Sequence, residues 1–150
     1  MENADTGTMA LSRGECLALL RSAHVGRVAY TDQALPAIRP VAFAMDGDLA
    51  LVVRTAPGSK FGAALRGAIV AFEVDDIDPV TRAGWSVTTV GPAQAVTAVP
   101  EAERLARLQP VPWAPGRRDA FIRITCRQVS GTRFVPGPGD AHSALLAHRR

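Results

Sequence analysis

The stretch Val53-Arg54-Thr55-Ala56-Pro57-Gly58-Ser59-Lys60 holds the densest set of chemically useful groups in this 150-residue chain. Two hydroxyls, at Thr55 and Ser59, and two cations, Arg54 and Lys60, fall on either side of a Pro-Gly turn. Such groups converging at a turn can hold an anion, a phosphate above all, through charge-assisted hydrogen bonds. Ser59 also stands where it would cap a following helix, whose first amides would add donors. The same residues could instead form a surface turn with two solvated cations, and the surrounding chain has to decide.

Elsewhere the reactive chemistry is thin. Cys16 and Cys126 stand far apart, without metal-ligand spacing and without histidine beside them, and read as free core thiols. Asp75, Asp76 and Asp78 lack the glycine and the terminal glutamate of a calcium loop, so they read as a solvated acidic loop. The histidines are His24, His142 and His148, and His24 falls at the end of a first helix, where a structural cap is the simpler role. No catalytic triad, carboxylate dyad or metal cluster emerges, so no catalytic and no metal-binding residue is assigned.

With 47% hydrophobic and 21% charged residues the chain suits one globular domain with a sizeable core. The net charge of +3 and pI near 9.5 come from scattered cations, paired only at Arg117-Arg118 and Arg149-Arg150, which does not make a nucleic-acid surface. No apolar run approaches the roughly 20 residues of a membrane helix, and the polar start, Met1-Glu2-Asn3-Ala4-Asp5, is unlike a secretory leader. The expectation is a soluble cytoplasmic protein with reduced thiols.

The elements that must position the Thr55–Lys60 stretch are mostly strands. Residues 1–10 show no periodicity and are expected to be flexible. Ser12-Arg13-Gly14-Glu15 matches a capping box, followed by Cys16, Leu19, Leu20 and Ala23 at helical spacing. From Gly26 the period is two: Val28 and Tyr30, a turn over Asp32-Gln33, a run from Ile38 to Met45, then Asp46-Gly47 and Leu49 to Val53. Asp-Gly between apolar runs predicts a type I′ hairpin turn. Pro36 and Pro40 place their strand at an edge or give it a bulge. Phe61, Ala64 and Leu65 predict a short helix closed by Gly67, and Ile69 to Val74 a strand. Gly84 to Thr97 reads as one long strand kinked at Gly91-Pro92, as a sheet curling into a barrel requires. Pro100-Glu101-Ala102-Glu103 opens a helix with Leu105 and Leu108 on its apolar side, and Val111 to Gly116 is a rigid loop holding Trp113. Phe121 to Cys126 and Val129 to Val135 are closing strands, and the Pro- and Gly-rich residues 136–150 form a tail expected to be disordered. Six or seven antiparallel strands with three short helices predict a mainly β, Greek-key-type barrel.

Gly26-Arg27 after a first helix, Pro40-Val41, Arg54-Thr55 with Ser59-Lys60, Phe72-Glu73-Val74-Asp75, Gly84-Trp85-Ser86-Val87 with Gly91, and Trp113-Ala114-Pro115-Gly116 together resemble the pyridoxamine 5′-phosphate oxidase-like family of flavin-binding split β-barrels. The resemblance covers residues 11–135 and rests on order and spacing. It implies a homodimer with a flavin in each of two grooves between subunits. Arg54, Thr55, Ser59 and Lys60 would then hold the flavin phosphate, and Arg39, Pro40 and Val41 would present backbone to the isoalloxazine edge. Trp85, Ser86 and Val87 of the second subunit would close the groove, with Trp113 as a further wall. It implies FMN as cofactor, with a deazaflavin as the alternative, and an oxidoreductase acting on a small molecule. A flavin performs hydride transfer itself, which suits a chain without a catalytic triad. Pyridoxamine phosphate oxidases proper carry a C-terminal arginine and histidine for their substrate; the Pro-Gly tail here has no such pattern, which speaks against vitamin B6 oxidation. Proteins of this fold that bind haem, or bind flavin without turnover, are the remaining alternative.

Overall fold

The computed structural model describes residues 2–3, 7–108 and 120–136, so Trp113 and residues 137–150 lie outside the described residues. The period-two runs form strands: β1 (Glu2–Asn3), β2 (Thr8–Ala10), β3 (Val25–Asp32), β4 (Leu35–Asp46), β5 (Ala50–Thr55), β6 (Ile69–Ile77), β7 (Gly84–Ala95), β8 (Ala120–Thr125) and β9 (Gln128–Phe134). Three helices interrupt them: α1 (Arg13–Ser22), α2 (Lys60–Leu65) and α3 (Val99–Leu108). The strands run in the order β7-β6-β3-β4-β5-β8, and β8 returns to β7, so six antiparallel strands close a barrel. The remaining three, β9, β2 and β1, extend one sheet outward from β7. This is the split barrel expected from the sequence.

Closure depends on two strands that change partners. Strand β7 pairs with β6 from Gly84 to Pro92 and with β9 from Gly84 to Val90, then crosses to β8 from Ala93 to Ala95. The crossing falls at Gly91-Pro92, where the sequence predicts the kink. Any side chain at 91 would place its Cβ 1.7 Å from the Thr125 carbonyl oxygen, so only glycine fits. Strand β4 behaves alike, pairing with β3 through Ala42 and with β5 from Phe43. Between Leu35 and Ala42 its other edge pairs with no strand among the described residues and carries both prolines, and pairing with β3 is continuous past Pro40. The edge reading holds and the bulge does not form.

Helix α1 starts as its capping box predicts: the Glu15 amide donates to Ser12 Oγ at 3.1 Å, and the Ser12 amide donates to Glu15 Oε1 at 3.1 Å. His24 acts through its backbone, its carbonyl accepting the Phe43 amide at 3.1 Å. Two expectations need correction. The type I′ geometry is at Gln33-Ala34, with φ of 49° and 67°, rather than at Asp46-Gly47; there Asp46 faces Ala50 across a three-residue loop, and only Gly47 has positive φ. Thr8–Ala10 form a strand against Thr132–Phe134, which a three-residue segment without periodicity could not announce.

The main core fills the barrel around Val28, Phe72, Val87 and Ile124, covered by Leu20 of α1 and Leu65 of α2. A second cluster joins Val52 and Phe121, on the outer face of β5 and β8, to Leu105 of α3. Charge fastens α3 there. Arg104 donates to both Asp46 oxygens at 3.0 and 2.9 Å and to Glu101, while Arg123 of β8 donates to Asp46 at 3.0 Å and to Glu101. The hydrogen bonds from Arg104, then Arg123, hold the Asp46 carboxyl below its ordinary range and pull Glu101 down to about 2. Folded-state values below the unfolded ones mean that this stabilisation is complete above the ordinary carboxylate range and is lost as pH falls toward about 2. Arg104→Met should therefore be less stable than the parent at pH 7 and equal to it near pH 2, by urea unfolding; a gap of the same size at both would acquit the network. Inside the barrel, Thr89 Oγ1 is fully buried beside the Cys126 thiol, a weak hydrogen-bonding partner. Thr89→Val should raise unfolding stability by about 1 kcal/mol, since it removes a buried hydroxyl that the thiol compensates poorly. Destabilisation by that amount would mean that the Thr89–Cys126 contact is a full hydrogen bond.

Candidate functional site

Strand β5 is buried along Ala50–Val53 and stays paired with β8 until Thr55 meets Ala120. Thr55 is only 3% exposed, a polar residue at the end of an apolar run. Pro57 and Gly58, the latter at φ +72°, then reverse the chain, closed by the Ser59 amide donating to the Ala56 carbonyl at 3.1 Å. Ser59 caps α2 as predicted: its backbone is extended and its Oγ accepts the Gly62 amide at 3.0 Å. At the other end Gly67, at φ +77°, leaves the helix and donates to the Ala93 carbonyl at 2.8 Å, and the Ala93 amide donates to the Ala68 carbonyl at 2.8 Å. Both ends of α2 are thereby fixed, the second to β7 just beyond its crossing point.

Gly62 shows how tightly the site is drawn together. A Cβ there would lie 3.1 Å from Ser59 Oγ and 3.3 Å from Thr55 Oγ1, so the two hydroxyls converge on one spot beneath the helix. They border a cleft of about 300 Å³. Its α2 side is Thr55, the Ala56–Ser59 turn, Gly62 and Arg66; its opposite side is Ala95–Thr97 and Ala120–Ile122. Arg54 stands behind that wall with its guanidinium 5.1 Å from the Phe121 ring centroid.

Helix geometry divides the rest of the expected set. Ser59, Gly62 and Arg66, three and four residues apart, share one flank of α2. Phe61 takes the other, with the Arg39 guanidinium 4.6 Å from its ring centroid and Tyr30 edge-on at 5.4 Å. Lys60 is exposed at the start of the helix between these flanks. Pro40 lies on the open edge opposite Arg27, and Val41 packs against the core opposite Gly26. Trp85 and Val87 face inward from β7, Trp85 partly and Val87 wholly buried in the main core, while Ser86 points to the outer face. All three lie on the part of β7 paired with β6 and β9, whereas the cleft is built from its other end. Within one chain they do not line the cleft. Arg66 and Thr97 were missed: Arg66 repeats the helical spacing of Ser59 and could have been found by it, whereas Thr97 is placed by barrel closure alone.

A second electrostatic perturbation lies elsewhere, on the outer face of β6. Burial, then the neighbouring Asp75, push Glu73 up to about 7, although Arg27 Nη1 lies 3.5 Å from its Oε1 and 3.1 Å from Asp75 Oδ2. The expected acidic loop is shorter than the sequence suggests: Asp75 and Asp76 belong to β6, paired with Ser86 and Trp85, and Asp78 beyond it accepts the amides of Val80 and Thr81 at its Oδ1, which makes it a turn-former. Among the described residues no group of three His, Cys, Asp or Glu side chains is placed to hold a metal ion. Above pH 4.5 the unfolded chain ionises Glu73 while the fold keeps its proton until about 7, so stability is lost as pH rises through that window. Discounted for a side chain 37% exposed, Glu73→Gln should gain about 1 kcal/mol at pH 8 and nothing at pH 4. A gain independent of pH would show that packing, not charge, is responsible.

Residues 12–133 match the family described as pyridoxamine 5′-phosphate oxidase. The chain belongs to this family. It is 41% identical over 133 residues to an uncharacterized Mycobacterium tuberculosis protein, Rv0080, covering 83% of this chain and 84% of the relative. Among solved structures, the FAD binding protein from Mycobacterium smegmatis superposes with a TM-score of 0.71 at 30% identity, over 85% of this chain and 98% of that one. A FAD-binding protein from Mesorhizobium loti gives 0.69 at 25% identity, over 84% and 97%.

Proposed function

We propose that this family member binds a flavin by its phosphate at the start of α2 and serves as a flavin-dependent oxidoreductase of a small molecule. The observation that carries this reading is the convergence of the Thr55 and Ser59 hydroxyls beneath Gly62, beside a cleft edged by Arg66. The donor set suits a phosphate. Ser59 Oγ accepts one amide and keeps its own proton to donate, Thr55 offers a second hydroxyl with little competing water, and Lys60 stands exposed next in sequence. Two relatives named as FAD-binding favour a flavin as the owner of that phosphate.

A bound flavin supplies the hydride chemistry itself, so this chain's own residues need only hold and orient it and exclude water. Thr55, Ser59 and Lys60 would anchor the phosphate, while Arg39, held against Phe61 on the other flank, would face the ring system. FMN, FAD and a deazaflavin all carry a phosphate on the ribityl arm, so this anchor is common to them. Trp85 and Ser86 are remote from the cleft in their own chain, so in this reading they would wall the groove from a second copy, and the protein would act as a homodimer with shared sites.

The test is an absorbance and tryptophan-quenching titration of the apo-protein with FMN, FAD and a deazaflavin, paired with sedimentation to read the oligomeric state. Saturable flavin binding is expected, and Lys60→Ala should weaken it by about 1.5–3 kcal/mol, as for a hydrogen bond to a charged group. Unaltered affinity would remove Lys60 from the site, and binding of none of the three would overturn the flavin reading.

A further inference from the structure

The cleft is too large for the anchor it adjoins. A phosphate fills the space of only a few waters, each with about a 30 Å³ share of the liquid. At about 300 Å³ the cleft instead reaches the lower end of small-molecule pockets. Its lining is also two-sided. One edge is polar, with Thr55, Ser59 and Arg66, and the other offers the apolar Val96 and Ile122 with the Thr97 hydroxyl at the rim. A charged group joined to a flat heteroaromatic matches that division better than either alone.

The position of the cleft matters as much as its size. Arg39 and Phe61 occupy one flank of α2, and Arg66 with the cleft occupies the other, so the start of the helix stands between them. A ligand whose ring system lies on the Arg39 flank and whose phosphate meets Ser59 and Lys60 ends at that boundary if it is a mononucleotide. Only one that continues past this phosphate enters the cleft.

Resting on the flavin reading above, we infer that the cleft receives the adenylate half of a dinucleotide flavin, with Arg66 on its outer phosphate and Val96, Ile122 and Thr97 around the base. Arg66 and Thr97 thus choose FAD over FMN, while Ser59 and Lys60 serve both. Arg66 is exposed and caps α2 through its backbone amide, so its side chain can be removed without touching the core.

The experiment measures FAD and FMN affinities side by side, by fluorescence titration of the full chain, for the parent, Arg66→Ala and Thr97→Trp, the last chosen to fill the cleft. Each substitution should weaken FAD by roughly tenfold or more, the loss of one charge-assisted hydrogen bond or of the space itself, and change FMN by less than about twofold. AMP, which carries only the outer phosphate, should compete with FAD in the parent and leave FMN bound. Equal losses for both flavins, or parent-like FAD affinity in both variants, would overturn this inference and leave the flavin reading standing. Failure of the parent to bind either flavin would overturn both.

Discussion

The contact between Gly91 and the Thr125 carbonyl is the constraint on which the remaining architecture depends. One strand has to serve two sheets: β7 is hydrogen-bonded to β6 and β9 along most of its length and to β8 at its end. The change of partner brings its backbone against the β8–β9 connection so closely that a side chain cannot be accommodated. Because the crossing is fixed, Ala93 is fixed, and Ala93 is where the exit of α2 is tied. The far wall of the cleft, Ala95–Thr97, continues from the same point. A steric requirement at a residue with no chemistry of its own thereby sets the distance between the two sides of the site.

The second wall depends on α3. Phe121 belongs both to the cleft and to the apolar cluster beneath that helix, and the alternating guanidinium and carboxylate groups of Arg104, Asp46, Arg123 and Glu101 hold the helix in place. Each charge in this network faces two opposite ones, an arrangement that makes more of partly exposed ion pairs than isolated pairs can. Van der Waals packing and electrostatics thus act together on the α3 face of this wall, where Val52 and Phe121 lie beside Arg123, while Val53 and Ile122 are turned to the barrel interior.

Local chemistry was legible in the sequence. The Ser12 and Ser59 caps, the end of α2 at Gly67, the edge prolines and the kink at Gly91-Pro92 each follow from what a residue's backbone can or cannot do. So was the convergence of Thr55 and Ser59, because a turn and a cap are short-range structures. What could not be read depends on the assembled barrel. β2 has three residues and exists only because β9 offers an edge. The Gln33-Ala34 turn takes left-handed backbone without glycine or asparagine, because the twist of the flanking strands overrides local preference. Thr97 reaches the cleft through closure alone, and Arg39 and Ser59 prove to be on opposite flanks of a helix too short to show a periodicity of its own.

The open edge of β4 has a further consequence. Leu35 and Ile38 are 69% and 72% exposed on a strand whose outer backbone, from 35 to 42, is not claimed by another strand among the described residues. An extended apolar segment of that kind is a template on which a neighbouring chain could add itself, and the addition could repeat indefinitely. Pro36 and Pro40 remove two amide donors at intervals of four residues along it, which denies an incoming strand a continuous ladder. The prolines that a strand would normally exclude thus limit strand addition along an edge that is apolar and exposed in the single chain.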